Sequence, residues 1–381
     1  MVTAEDAGED ILFEHRGALG LVTLNRPKAL NALTHAMALA LEAKLDVWAK
    51  DDAVQVVAIQ GAGDRAFCAG GDIRALYEAG RPGGERGRAN FQFYADEYRL
   101  NAKIKRFPKP YVALMDGIVM GGGVGVSIHG SHRIATERTV FAMPETGIGL
   151  FPDVGATWFL PRLHETNSEI DPSLGAGLWL GLTGARLRAG DAVTFGIADL
   201  FCPSSGLEVL IDALAGGRAF FGELNWHWPG QPETLDLYGH HGVDLPTQGP
   251  GSDYPFEQSI TPEIEMAFDA PSLAEILDRL AASQTEWGAT QRRIILSKSP
   301  TCTEIAFRQI RAGAALSFEE CMRLEYRLAR FCMTHPDFYE GVRATIIDKD
   351  GAPAWSPATL AEVDQAALDA AFAPQEEELA L

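Results

Sequence analysis

The sequence is short of the features that mark several specialised classes. It has five cysteines in 381 residues (Cys68, Cys202, Cys302, Cys321 and Cys332), and no two form a CxxC pair. Neither a zinc ribbon nor a disulfide framework is therefore indicated, and an odd number of thiols fits a reducing compartment. The longest apolar runs, such as Tyr111 to Met115, fall far below a bilayer span, so no membrane partner is expected. Positive charge is scarce: 32 Lys and Arg face 52 Asp and Glu, for a net charge of −20. Nucleic-acid binding needs a basic surface, and none is expected here. The stretch Met1 to Asp10 has neither the basic start nor the apolar core of a leader segment, from which a cytoplasmic location is expected. Also missing are a G-x-S-x-G elbow, an H-E-x-x-H pair and a G-x-x-x-x-G-K-[ST] phosphate loop.

The first half of the chain alternates strands and helices. Ile11 to Glu14 and Leu19 to Leu24 read as strands joined at Arg16-Gly17, and Asn25-Arg26-Pro27 ends the second, since proline supplies no ladder donor. Thr34 can cap a helix running to about Ala49. Val54 to Ile59 and Tyr111 to Met115 are nearly all apolar, as strands covered on both faces are. Further helices are expected from near Asp72, over Phe91 to Arg106, from Gly121 to about His129, and around Ala156 to Leu160. This order predicts an α/β core over residues 1–220, and leaves open whether it is a doubly wound sheet or a spiral of stacked ββα units. Residues 221–260 carry Trp226, Trp228, His240 and His241 among many glycines and prolines, and read as an irregular insertion. Residues 261–381 read as helix throughout, with Ser317 and Glu320 forming a capping box.

Two glycine-rich turns could carry chemistry. Phe67-Cys68-Ala69-Gly70-Gly71-Asp72 and Met120-Gly121-Gly122-Gly123-Val124-Gly125 each lie between a strand and a helix. Glycine lets backbone approach a ligand closely, and a helix start leaves amides unpaired. If the Gly71 and Gly122 amides converge, they form an oxyanion hole, worth about 3 kcal/mol per donor. The third feature is Met143 to Asp153, a mostly apolar loop with two ionisable groups, Glu145 and Asp153. Burial raises a carboxylate's pKa and makes it a better base or nucleophile.

These motifs, in this order, resemble the enoyl-CoA hydratase/isomerase (crotonase) superfamily. Tyr111 to Gly125, Phe141 to Leu163, Glu325-Tyr326-Arg327, and Phe338 to Asp350 are similar to its hydrolase branch. The resemblance implies a crotonase-like spiral of ββα units followed by a helical C-terminal region. It implies a coenzyme A thioester with its carbonyl oxygen on the Gly71 and Gly122 amides. Glu145 and Asp153 are the implied catalytic carboxylates, and Glu97 matches a substrate-contacting glutamate. Asp72 and Lys28 are further expected substrate contacts. The hydratases of the superfamily carry a glutamate two residues after the triple glycine, where this chain has Gly125.

The expected reaction is therefore hydrolysis of 3-hydroxyisobutyryl-CoA, or a close short β-hydroxyacyl-CoA, in valine catabolism. The alternatives are an enoyl-CoA hydratase or isomerase, and a non-catalytic assembly component of the same fold. No metal or other cofactor is expected, coenzyme A being part of the substrate, and a homo-oligomer is open. Because coenzyme A is polyanionic, a local basic patch must offset the acidic field. Arg26 and Lys28 are one candidate patch, and Lys103, Lys105, Arg106 and Lys109 another.

Overall fold

A computed structural model describes residues 2–80, 88–163, 174–217 and 260–381. The hairpin β1 (Ile11–Arg16) and β2 (Leu19–Leu24) opens the chain, with Ile11 opposite Leu24. Helix α1 (His35–Lys50) follows, and the Thr34 hydroxyl accepts from the Met37 amide at 3.2 Å, as the sequence predicts. The remaining strands are β3 (Val56–Gly61), β4 (Ala66–Cys68), β5 (Tyr111–Met115), β6 (Ile118–Met120), β7 (His132–Ala135), β8 (Val140–Ala142), β9 (Leu187–Arg188) and β10 (Leu200–Phe201).

The strands sort into two sheets. One runs β1-β2-β3-β5-β7-β10 and the other β4-β6-β8-β9. Consecutive strands β3 and β4, β5 and β6, β7 and β8 each put one member in either sheet. That is a spiral of ββα turns, which resolves the choice the sequence left open. β2, β3, β5 and β7 pair in parallel, and β2, β3 and β5 carry mostly buried apolar residues, because both faces are covered.

Helices α2 (Ile73–Ala79), α3 (Arg88–Lys105), α4 (Gly122–Gly125) and α5 (Ala156–Phe159) fill the spiral. The expected helix from Gly121 to His129 is regular only to Gly125, since Ser127 turns its hydroxyl onto the Gly123 carbonyl at 2.7 Å. From Ile260 onward the described residues hold helices and no strand. Ser317 and Glu320 form the expected capping box on the helix Phe318–Thr334. That helix packs on α3, so Phe93, Tyr98, Met322 and Leu328 belong to one continuous core. The predicted insertion, with Trp226, Trp228, His240 and His241, lies outside the described residues.

Candidate active site

The two glycine turns meet face to face. A Cβ on Gly121 would stand 3.2 Å from Gly70 Cα, and one on Gly122 would stand 3.3 Å from the Gly71 nitrogen. Gly70 (φ +120°) and Gly121 (φ +47°) take conformations that side chains disfavour. Leu33 donates to the Gly70 carbonyl and accepts from the Asp72 amide. In such a parallel bridge the middle residue's own amide faces away, so the Gly71 N–H turns from Leu33. Gly122 opens α4, where a first-turn amide has no partner within the helix.

Around these turns lies a cavity of ≈ 150 Å³. Ile73, Phe93, Ile148 and Ile346 give it apolar walls, and Glu97, Glu145 and Asp153 give it three carboxyl groups. All three are buried, at 2%, 5% and 4% exposure. Glu145 begins a short 3-10 turn after β8, and its Oε1 lies 3.5 Å from where a Gly121 Cβ would be. That turn is held from behind, since a Cβ on Gly341 would collide with the Ile148 backbone at 2.4 Å. Glu97, from α3, places Oε1 2.7 Å from the position of a Gly122 Cβ. Among the described residues, Glu97 Oε1 and Glu145 Oε2 have no hydrogen-bond partner.

Asp153 differs from both: the Tyr98 hydroxyl donates to its Oδ2 at 2.8 Å. Burial lifts its pKa to about 7, with the Tyr98 hydrogen bond pulling the other way. Burial, reinforced by Asp153, holds Glu145 well above the usual carboxylate range, and Lys298 offsets this in part. Glu97 is raised by burial first, then by Asp153 and Glu325. Like charges this close in a dry site cannot all ionise, so the group titrates as a unit. Asp153, with its donor, is the member best able to carry charge at rest.

The structure thus brings Gly71, Gly122, Glu97, Glu145 and Asp153 around one cavity. Two other expected contacts lie elsewhere. Asp72 caps α2 by accepting from the Ala75 amide at 3.2 Å and pairs with Arg26 at 3.1 Å. Lys28 is exposed on the turn Pro27–Ala29, outside the cavity lining. Most of the candidate basic patch is committed to the fold. Lys103 pairs with Asp46 at 2.7 Å, and Arg106 with Glu319. Lys109 donates to the Trp48 and Asp51 carbonyls, and Lys105 sits 4.1 Å over the Trp158 ring. Tyr98 is a site residue that the sequence reading missed; a tyrosine at 0% exposure on a helix face carries no local signal beyond core.

Gly125, at the hydratase glutamate position, is fenced in. A Cβ there would stand 2.7 Å from Asn101 Nδ2 and 2.8 Å from Val154 Cβ. Among the described residues no group of three His, Cys, Asp or Glu side chains is arranged to hold a metal ion.

A family model described as enoyl-CoA hydratase/isomerase matches residues 19–372. The chain belongs to that family. It is 43% identical to a zebrafish (Danio rerio) protein named 3-hydroxyisobutyryl-CoA hydrolase, mitochondrial, over 97% of this chain and 91% of that one. The human protein of the same name is 39% identical, over 96% and 89%. A solved structure from Rhodobacter sphaeroides, titled an enoyl-CoA hydratase, superposes with a TM-score of 0.83 and 37% identity, covering 98% of this chain and 100% of that one. A Mycobacterium thermoresistibile structure, titled a carnitinyl-CoA dehydratase, gives 0.80 and 35%, covering 98% and 99%. The relatives' names overturn the expected cytoplasmic location, since they are mitochondrial enzymes. Targeting segments are removed on processing, so the first residues of a sequence are a poor guide to compartment.

Proposed function

We propose that the chain hydrolyses the thioester of 3-hydroxyisobutyryl-CoA, or a close short β-hydroxyacyl-CoA, to the free acid and coenzyme A, as a step of valine breakdown. The observation that carries this reading is the pairing of Glu145 and Asp153 beside two convergent glycine turns, with Gly125 where a hydratase needs its first glutamate. The names of the relatives at about 40% identity support it.

The Gly71 and Gly122 amides hold the thioester oxygen and take up its charge as the carbon becomes tetrahedral. Ionised Glu145 either attacks that carbon or takes a proton from the water that does. In both routes the bond to sulfur breaks and coenzyme A leaves, its sulfur taking up a proton; in the first route water then hydrolyses the anhydride formed on Glu145 and releases the acid. Asp153, fixed by Tyr98, orients water or the substrate hydroxyl, and Glu97 contacts the substrate. Water and an activated thioester suffice, so no metal or redox cofactor is assigned.

The test is release of free thiol across a panel of acyl-CoA thioesters. The expected result is turnover of 3-hydroxyisobutyryl-CoA well above the unsubstituted and long-chain members. A hydratase would instead consume the conjugated double bond of crotonyl-CoA, and finding that activity alone would overturn the assignment. Nor will Gly125→Glu create a hydratase. The new side chain meets Asn101 and Val154 inside van der Waals contact, so crotonyl-CoA hydration stays absent and the melting temperature falls.

The pH profile adds a sharper check. Tyr98→Phe removes a hydrogen bond that favours ionised Asp153. The Asp153 pKa then moves above about 7, and the acid limb of kcat/KM shifts to higher pH. An acid limb that stays put or moves lower would show that Asp153 ionisation does not govern the rate.

A further inference from the structure

The backbone just after Asp153 is strained. Val154 has φ +53°, a left-handed conformation that a β-branched residue adopts only under constraint. Gly155 follows at φ +92°. Left alone, Val154 would relax to an extended conformation and swing the Asp153 side chain with it.

The constraint comes from far along the chain. His129 Nε2 donates to the Val154 carbonyl at 2.7 Å. Glu325, at 0% exposure on the helix Phe318–Thr334, accepts the Gly155 amide on Oε2 at 2.7 Å and the Thr157 amide on Oε1 at 2.8 Å. Gln309 Nε2 donates to the Pro152 carbonyl. Glu325 also begins the Glu325-Tyr326-Arg327 motif, which the chemistry above leaves without a role. Burial pushes the Glu325 pKa up to about 8 against the pull of these amides, and both of its oxygens are spent on the turn that carries Asp153.

We infer that Glu325 is a positioning residue for the hydrolysis: by accepting the Gly155 and Thr157 amides it holds the strained Val154 turn, and so aims the Asp153 carboxylate into the cavity. This rests on the proposed role of Asp153. The clamp thus acts on the orientation of one side chain and not only on the stability of the fold.

The experiment is a set of variants assayed for thiol release, with kcat and KM measured separately. Glu325→Gln keeps the shape but offers one acceptor, and turns an amide N–H₂ toward a backbone N–H. Its kcat should fall about tenfold or more, with KM changed little. Val154→Gly removes the strain, since glycine enters the left-handed region freely. If the clamp works through that strain, Glu325→Gln should cost several-fold less in the Val154→Gly background than in the wild type. His129→Leu, which frees the other end of the turn, is the second arm. It should lose kcat and recover in the same background, and it decides the matter if Glu325→Gln is insoluble. Unchanged kcat in either single variant, or losses that multiply independently with Val154→Gly, would overturn the inference. Asp153→Asn separates the two levels. If that variant keeps full activity, the reading of the site fails; if it is inactive while Glu325→Gln is not, only the clamp fails.

Discussion

Glu145→Gln should lower kcat for thioester hydrolysis by about 10³-fold or more, with KM little changed, because it removes both base and nucleophile but leaves the cavity's shape. The loss should come without any loss of stability. Burial raises the Glu145 pKa in the folded protein. Between the ordinary carboxylate value and the raised one, the folded protein keeps a proton that the unfolded chain has released. Stability therefore falls as pH rises through that window, and the penalty is complete above it. Glutamine carries no such penalty. At about pH 8 the variant should melt at or above the wild-type temperature by calorimetry. A large drop in melting temperature would mean that the carboxylate's role is structural, and wild-type turnover would remove it from the mechanism.

Gly122→Ala should be nearly as damaging, by about 10²- to 10³-fold in kcat/KM, and for a steric reason. The added methyl would sit 2.7 Å from Glu97 Oε1 and 3.3 Å from the Gly71 nitrogen. It occupies the space between the two amides, where the thioester oxygen must lie. Gly71→Ala is the control, since its Cβ would meet only Phe93, at 3.4 Å, an ordinary contact. The second amide is then preserved and most activity should remain. Equal losses in the two variants would contradict the assignment of the oxygen to this gap.

The sequence made much of this legible, and for identifiable reasons. β2 and β5 run over Leu19–Leu24 and Tyr111–Met115 as the pattern predicts, because strands buried on both faces need unbroken apolar residues. The short β4, β6 and β9 left no such trace, being two or three residues long. The second sheet therefore left little mark in the residue pattern, and the family resemblance was what pointed to it. The carboxylates Glu145 and Asp153 stood out because an ionisable group in an apolar loop is rare. Tyr98 did not, and Glu325 did so only within a motif that gave it no role, since each lies on an ordinary amphipathic helix and acquires its partner only in three dimensions. The basic residues misled for the opposite reason: surface charge is common, and Lys103, Arg106 and Lys109 are spent on contacts within the fold.

Gln309 and Glu325 reach back across 157 and 170 residues to grip the loop that carries Asp153. During synthesis, the spiral leaves the ribosome with both glycine turns and every cavity carboxylate already present, yet with this grip unmade. Contacts so distant in sequence are slow to close and close late. An unfinished chain thus holds all the reacting groups but lacks the far helices that aim one of them, which ties competence to completion of the polypeptide.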